Sequence, residues 1–298
     1  MSRLHQERCN ARYLPGARFP EQLRIESDLA DALDECDDAL IAVPSHAFRG
    51  TLDGIKPHLR QHTRVAWATK GFELGSGKLP YAVASEVLGA RPLAVLSGPT
   101  FAREVGAGLP TAMTIASPDA QFAGNLATNL SGPTFRAYTQ SDIVGVEVGG
   151  AVKNVIAIAT GIADGVGFGA NTRVALITRG LAEMMRLGVK LGAVRETFMG
   201  LSGLGDLVLT CTDDQSRNRR FGVALGRGVA ASTAQGDIGQ VVEGVSAARA
   251  VRDVAHTHRV EMPICAEAYR VMYEGKPIKE AVQSLMGREV RAEIDGGS

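Results

Sequence analysis

The chain has 298 residues, of which 45% are hydrophobic and 21% are charged, which is typical of a soluble globular protein with one large domain or two ordinary ones. Lys plus Arg and Asp plus Glu balance at 32 each, so no overall charge attracts nucleic acid or an anionic membrane, and any anion-binding site must be local. The four cysteines show no paired spacing, which argues against a disulfide framework or a metal site. The first residues lack the apolar core of a signal peptide, and no run reaches the roughly 20 apolar residues that span a bilayer, so we expect a cytoplasmic protein.

From residue 24 to about residue 139, short apolar runs alternate with helical patterns. The runs predict strands over 24–27, 39–45, 64–70, 92–98, 111–117 and 135–139. The patterns between them predict helices over 28–37, 46–59, 79–89 and 119–130. Two of the runs, 39–43 and 93–96, are continuously apolar, as expected for parallel strands that are covered on both faces. Strands interleaved with helices therefore predict an α/β fold with a doubly wound sheet.

Strand signals end after about residue 141, and long helical patterns follow. They predict helices over 143–163, 172–191, 217–225, 243–257, 265–273 and 279–285. We therefore predict a domain boundary near residue 140, with an all-α second domain over 141–298. The segment GVGFGA at 165–170 matches the motif G-x-G-x-x-[GA], but it follows a helical pattern rather than a strand, so we interpret it as a loop between helices.

Two predicted strand ends carry residues that suit a binding site, because open α/β sheets bind ligands at the carboxyl ends of their strands. Lys70 and Gly71 follow one strand, and the segment 97–100 ends another. A helix is predicted to begin near Pro99, so its free N–H groups and the Thr100 hydroxyl would accept an anion or a polar substrate. The alternative is a capped turn beside a solvated lysine.

The densest polar cluster lies over 201–222, where Ser216 is predicted to cap a helix. The first turn of that helix holds Arg217, Asn218, Arg219 and Arg220. Basic residues at a helix N-terminus oppose the helix dipole, and a bound phosphate would explain the mismatch. The alternative is a solvated basic face. Asp206 is interpreted either as a turn residue or as a polar contact for a hydroxylated substrate.

Lys153 is the single ionisable residue between Glu147 and Asp164. On one interpretation its stem lies along apolar surface and its amine reaches water. On the other, Gly149 and Gly150 let a backbone or a ligand approach, and the amine lies in a dry cleft. Desolvation would then lower the pKa of the amine, which could take a proton from an alcohol while a hydride leaves the same carbon.

Several long motifs occur in order along nearly the whole chain. They are NARYLPG, AVPSHAFR, WATKG, LSGPTFAREV, VGVEVGGAVKNVIAIATGI, ITRGLAEMMRLG, GLGDLVLTCT, SRNRRFG, GQVVEGV and YEGKPIKEAV. This set is similar to the bacterial NAD(P)-dependent glycerol-3-phosphate dehydrogenases. The resemblance implies a Rossmann-like dinucleotide-binding domain over 1–140, followed by a helical substrate domain of the 6-phosphogluconate-dehydrogenase-like type over 141–298. It also implies interconversion of sn-glycerol 3-phosphate and dihydroxyacetone phosphate for phospholipid synthesis, with NAD or NADP as cofactor, in the cytoplasm and in a possible homodimer.

The resemblance also implies roles for individual residues. Lys153 matches the lysine that accepts the proton, and Asn154 beside it would orient a neighbouring loop or the substrate. The implied substrate contacts are Lys70, Gly98, Thr100, Lys153, Asp206, Ser216, Arg217 and Asn218. The implied cofactor contacts are Lys70, Ala102, Arg217, Val241 and Glu243.

Members of that family open with a strand, a G-x-G-x-x-[GA] turn, a helix and a second strand, a unit of about 40 residues that this sequence does not show. We therefore expect unpaired strand edges in the sheet and weak binding of NAD(P)H. Three explanations stay open: a misassigned start, a truncation or decayed gene, and a shortened protein that binds a phosphometabolite without redox chemistry. A related hydroxy-acid dehydrogenase is the second enzyme alternative, and the basic SRNRR segment argues against it.

Overall fold

The computed structural model describes residues 2–289 and 292. It begins with helix α1 (Ser2–Glu7) and an antiparallel two-stranded ribbon, β1 (Cys9–Asn10) with β2 (Leu14–Arg18), neither of which the sequence patterns predict. The strand predicted over 24–27 is wrong, because this segment is a loop. The Glu26 carboxylate accepts the N–H groups of the two residues that follow it, and such local bonds compete with strand pairing.

The main sheet has five strands in the order β3-β4-β5-β6-β7. In chain order the elements are α2 (Leu29–Leu33), β3 (Asp38–Ile41), α3 (Ser45–Ile55), β4 (Arg64–Trp67), α4 (Pro80–Leu88), β5 (Leu93–Ser97), α5 (Ala102–Gly106), β6 (Thr111–Ala116), α6 (Ala120–Leu130) and β7 (Phe135–Gln140). Neighbouring strands are parallel except β5 and β6, which are antiparallel. Helix α5 packs against the β1–β2 ribbon, where Gly106 meets the Leu14 side chain, instead of making a helical crossover between β5 and β6.

Both faces of the sheet are covered, as the continuous apolar runs predict. On one face, Val65 and Trp67 of β4 pack with α3 and α4, and on the other face Ala66 packs with α6. All five residues of β5 are buried. Strand β3 pairs with β4 alone among the described residues, and Leu40 on it is 54% exposed, so this side of the sheet is an open edge.

The remainder of the described chain is helical. Two short helical turns, Arg195–Met199 and Leu201–Gly205, interrupt a series of longer helices. The longer helices are α7 (Ile143–Val166), α8 (Ala170–Lys190), α9 (Asp206–Thr212), α10 (Arg217–Gly226), α11 (Ala231–Ile238), α12 (Glu243–His258), α13 (Pro263–Tyr273) and α14 (Ile278–Met286). The α/β class, with a mainly parallel sheet followed by helices, is confirmed. The loop predicted at GVGFGA is also confirmed, because Gly167 ends α7 with a left-handed φ of 97° before α8 begins.

The boundary predicted near residue 140 falls between the sheet and the helices. Strand β7 ends at Gln140, and α7 begins at Ile143, where Asp142 caps the helix by accepting the Gly145 N–H at 2.9 Å. We keep the division into 1–140 and 141–298 as a proposal on this basis.

Helix α7 is the central helix of the helical part. Its 24 residues are long and apolar enough to cross a membrane, so the sequence prediction that no such run exists is wrong for α7. However, 89% of its most apolar 18-residue window is buried inside the protein. The apolar residues of α7 pack against α8, α9, α12 and α13, so they form the core.

Four glycines allow α7 and α10 to cross with their backbones in contact. Gly161 and Gly165 of α7 face Gly222 and Gly226 of α10. A Cβ atom added to Gly222 would overlap the carbonyl oxygen of Ile158, and the other three positions meet backbone carbonyl oxygens in the same way. The crossing therefore requires glycine, since backbone cannot give way as a flexible side chain does.

We expect Gly222→Ala to lower the free energy of unfolding by about 2 kcal/mol or more, because overpacking at the crossing outweighs the higher helix propensity of alanine. Chemical denaturation measures this change. Gly124→Ala is the matched control, since Gly124 lies within α6 and has open space where its Cβ would be. The control should be neutral or stabilised by up to about 1 kcal/mol. Equal stability of the two variants would contradict the backbone contact.

Candidate active site

Two lysines share one buried aspartate where the sheet meets the helices. The Lys153 amine on α7 donates to Oδ1 of Asp206, the first residue of α9. The Lys70 amine, just beyond β4, donates to Oδ2 of the same carboxylate at 2.7 Å. Lys153 is 8% exposed and Asp206 is 1% exposed. The Lys153 side chain is therefore buried, which contradicts the interpretation in which its amine reaches bulk water.

Glycines on α7 bring these groups together. Gly149 faces the carbonyl oxygen of Ser202, which a Cβ atom would overlap. Gly150 faces the aliphatic stem of Lys70, whose Cγ and Cδ lie 3.3 Å from the position a Cβ would take. The close approach predicted from these two glycines is confirmed, and it lets Lys70 pass across α7 to reach Asp206.

Thr210 completes the surroundings of the Lys153 amine, and the sequence patterns do not single it out. The amine donates to Thr210 Oγ1 at 3.0 Å, and the hydroxyl donates to the carbonyl oxygen of Asp206 at 2.6 Å. Thr210 lies four residues after Asp206 on α9, so the two side chains project from the same helix face. The four-residue spacing between Asp206 and Thr210 is the sequence feature that could have identified Thr210 as part of the site.

The site shifts the pKa values of its groups. The pKa of Lys153 is lowered to about 8, mainly because the amine is buried. Within that net value the nearby Lys70 ammonium also lowers the pKa, whereas Asp206 raises it. Burial alone would raise the pKa of Asp206, but the ammonium groups of Lys153 and Lys70 outweigh that effect and hold the pKa below its usual value. The aspartate therefore stays ionised, while Lys153 can gain or lose its proton near neutral pH.

A loop, not a helix N-terminus, forms the wall of the site at the end of β5. The helix predicted to begin near Pro99 is wrong, because α5 begins at Ala102 and has five residues. The Gly98 carbonyl accepts from the Lys70 amine at 3.4 Å and from the Thr100 hydroxyl at 3.3 Å. A Cβ atom on Gly98 would lie 3.0 Å from the Cα atom of Met113, so glycine is needed for this close approach.

The predicted anion site lies at the N-terminus of α10. Ser216 caps this helix as predicted, because its hydroxyl accepts the Arg219 N–H at 3.2 Å. Arg217 is half-buried, and its guanidinium donates to Gln240 Oε1 at 3.4 Å. Arg219 does not belong to a phosphate cluster, which corrects the prediction, because its guanidinium pairs with Asp164 at 2.7 Å and with Asp214.

Lys70, Lys153, Asp206 and Thr210 together form what we call the lysine cluster. Asn154 connects this cluster to the predicted anion site. The Asn218 amide donates to Asn154 Oδ1 at 2.9 Å, and Asn218 Oδ1 accepts the Gly244 N–H at 2.8 Å. The Asn154 amide also donates to Glu243 Oε2 at 3.4 Å. Asn154 follows Lys153 directly, so a side chain next to the amine fixes α10 and the start of α12.

The residues implied for the cofactor lie on both sides of the same region. Ala102 is exposed at the start of α5, Val241 is 55% exposed, and Glu243 begins α12. The Gln215 amide donates to Glu104 Oε1 at 2.8 Å, which joins α5 to the loop before α10. Helix α5 and the loop before α10 are therefore in contact. The roles of the residues named above in cofactor binding remain predictions.

Comparisons with known proteins agree along both halves of the chain. A family model described as the N-terminus of NAD-dependent glycerol-3-phosphate dehydrogenase matches residues 1–123, and the C-terminal model of the same family matches residues 142–283. A relative from Yersinia pestis (strain Pestoides F), named glycerol-3-phosphate dehydrogenase (NAD(P)+), is 56% identical over 298 residues, covering 99% of this chain and 88% of the relative.

Solved structures share the fold. The crystal structure of glycerol-3-phosphate dehydrogenase from Coxiella burnetii has a TM-score of 0.93 at 48% identity, and the match covers 96% of this chain and 88% of that one. The structure of the enzyme from Saccharomyces cerevisiae has a TM-score of 0.83 at 25% identity, over 95% of this chain and 84% of that one. The chain therefore belongs to the NAD-dependent glycerol-3-phosphate dehydrogenase family.

Proposed function

We propose that this chain interconverts sn-glycerol 3-phosphate and dihydroxyacetone phosphate with NAD or NADP, and that Lys153 accepts the proton. The observation that carries the proposal is the buried Lys153 amine, held by Asp206 and linked through Asn154 to the N-terminus of α10. The names of the relatives support the reaction, and the geometry supports this division of roles.

The N-terminus of α10 suits a phosphate. This helix has ten residues, so its first N–H groups and its dipole favour a negative charge at Ser216 and Arg217. The Arg217 guanidinium and the Asn218 amide add donors, of which the guanidinium makes charge-assisted hydrogen bonds. We assign the phosphate of the substrate to these residues.

The lysine cluster suits the alcohol of the substrate. Because the Lys153 pKa is lowered to about 8, part of the amine is neutral near neutral pH, and this form can take the hydroxyl proton as general base catalysis requires. The Lys70 ammonium stays beside it and stabilises negative charge that develops on the substrate oxygen. Asp206 and Thr210 orient the Lys153 amine, while Gly98 and Thr100 border the same space at the end of β5.

The residues at the carboxyl edge of the sheet fit the nicotinamide end of a dinucleotide. This edge is where open α/β sheets bind such ligands, and it presents the bare backbone of Gly98 and the small, exposed Ala102. NAD or NADP, when bound, supplies the acceptor for the hydride. The residues that would hold it are Lys70, Ala102, Arg217, Val241 and Glu243.

The phosphate assignment predicts a selective loss in one variant. Arg217→Ala should raise the KM for sn-glycerol 3-phosphate about 10- to 100-fold, because a charge-assisted hydrogen bond is worth roughly 1.5–3 kcal/mol. At saturating cofactor, the KM for free glycerol should rise much less, because glycerol has no phosphate for Arg217 to bind. Steady-state kinetics with both alcohols and both cofactors measure this difference. Arg220→Ala is the control, because Arg220 is exposed on the same helix.

Equal losses with the two alcohols would refute the phosphate assignment. Similar activity of the wild-type protein on a 2-hydroxy acid would favour the hydroxy-acid alternative. The cytoplasmic location and the homodimer stay predictions, and gel filtration with light scattering tests the second of them.

A further inference from the structure

Glu147 is a buried carboxyl that the proposed chemistry does not use. It lies on α7, six residues before Lys153, and is 4% exposed. Its Oε1 accepts the Trp67 indole N–H at 2.9 Å and the backbone N–H of Tyr81 at 3.0 Å, and its Oε2 lies 3.2 Å from the same backbone nitrogen. These bonds join three separate elements of the fold.

One of the two donors belongs to the strand that leads to Lys70, and the other belongs to α4. Trp67 is the last residue of β4, three residues before Lys70, and its ring packs edge-on against Phe48 in the core under the sheet. Tyr81 is in the first turn of α4, which starts with Pro80 and has no side-chain cap of its own. Glu147 therefore fastens α7 to β4 and supplies the missing cap of α4 from another part of the chain.

We propose that Glu147 is a positioning residue that sets the distance between Lys153 and Lys70. The two lysines come from α7 and from the end of β4, and both must reach the two oxygens of Asp206. A small displacement of α7 from β4 would move Lys153 and Lys70 apart, and one of the two amines would then lose its hydrogen bond to the Asp206 carboxylate. This inference rests on the proposed role of Lys153 as the base.

A hydrogen-bond acceptor at position 147 is the property that matters. An apolar residue there would leave two buried N–H groups without hydrogen-bond partners, and α7 would move to relieve that cost. Burial raises the pKa of Glu147 to about 8, while its hydrogen bonds from Tyr81 and Trp67 act in the opposite direction. Both donors bond to Oε1, so one acceptor oxygen satisfies them. Glutamine is therefore a close mimic, because it keeps an acceptor oxygen.

Glu183 provides a matched comparison within the same protein. It is buried on α8 and accepts the N–H groups of Ile264 at 2.7 Å and Cys265 at 3.2 Å. Those residues open α13, which also starts with a proline and has no side-chain cap. Glu183 thus caps a helix from another element as Glu147 does, but it joins α8 to α13, and neither helix carries a residue of the lysine cluster.

The test compares Glu147→Leu with Glu183→Leu, and each with its glutamine variant, at a temperature where all are folded. We expect both leucine variants to lose thermal stability. The kcat of Glu147→Leu should fall tenfold or more with little change in the KM for sn-glycerol 3-phosphate, while Glu183→Leu stays within twofold of wild type. Glu147→Gln should restore most of the kcat.

The proposal is overturned if the two leucine variants have the same kcat per folded molecule, or if Glu147→Gln loses as much as Glu147→Leu. Should Glu147→Leu fail to fold, Trp67→Phe removes one donor from the opposite side of the contact. That variant should lower kcat several-fold, and an unchanged kcat would overturn the proposal as well.

A second measurement is independent of turnover. Nuclear magnetic resonance of lysine labelled with 15N, across a pH series and with the Lys153 signal assigned by its loss in Lys153→Ala, reports the pKa of the Lys153 amine in each variant. That pKa should change in Glu147→Leu and stay constant in Glu183→Leu, and the opposite result would refute the positioning role. If Lys153→Ala remains active while the pKa still changes, the proposed function fails and the positioning role stands.

Discussion

Lys153→Ala should reduce turnover of sn-glycerol 3-phosphate by about 100- to 10,000-fold, the range that a positioned general base contributes. The amine is buried against Asp206 and Thr210, so no solvent-exposed group can replace it without rearrangement. Lys153→Arg should not restore activity, because a guanidinium cannot accept a proton near neutral pH. The measurement is kcat in both directions of the reaction, from the absorbance of the reduced cofactor.

Lys190→Ala is the matched control for that variant, because Lys190 is an exposed lysine at the end of α8. It should keep wild-type turnover. Turnover close to wild type in Lys153→Ala would remove Lys153 from the mechanism, and the lysine cluster would then have a purely structural role.

Asp206→Asn should lower both stability and activity, because it leaves two ammonium groups without their shared anion. Breaking a buried ion pair by removing one partner costs about 3–5 kcal/mol, which denaturation should detect. Asp34→Asn is the control, because Asp34 pairs with Arg60 at the surface with 74% of its side chain exposed. That pair should contribute less than about 1 kcal/mol.

The pH dependence of Asp206→Asn tests the same cluster in a second way. Oxidation of the alcohol needs the neutral Lys153 amine, so kcat/KM should rise with pH through the Lys153 pKa of about 8. Asp206 stabilises the ammonium form, so its removal must lower that pKa. The rising limb should therefore move to lower pH in the variant. A limb that stays in place would show that another group titrates.

Local chemistry made much of the helical part predictable. Ser216 can be recognised as a cap because a serine hydroxyl followed by a helical pattern accepts a backbone N–H in that helix. The loop at Gly167 can be separated from a dinucleotide motif because it follows a helix. The continuous apolar run of β5 likewise predicts a strand covered on both faces. Each of these signals lies within a few residues of the feature that it predicts.

The contacts that make the site could not be predicted in this way. Asp206 reaches Lys153 across 53 residues of sequence and Lys70 across 136, and nothing in the local pattern distinguishes it from a turn residue. Arg219 and Arg217 are both arginines in the first turn of α10, so sequence alone does not distinguish them. Arg219 forms an ion pair with Asp164 on α7 and is therefore not part of the predicted anion site. The antiparallel pairing of β5 with β6 also depends on where α5 packs, which is a tertiary contact.

The glycine crossing between α7 and α10 has a consequence for substrate choice. Backbone touches backbone at Gly161 and Gly222, so the amine of Lys153 and the guanidinium of Arg217 are carried by one rigid unit. On the proposed roles of Lys153 and Arg217, this unit fixes the distance between the reacting hydroxyl and the phosphate of the substrate before the substrate binds. We therefore expect substrate analogues with one methylene more or fewer to reach one of the two residues but not both, so chain-length selectivity would come from a helix crossing that requires glycine.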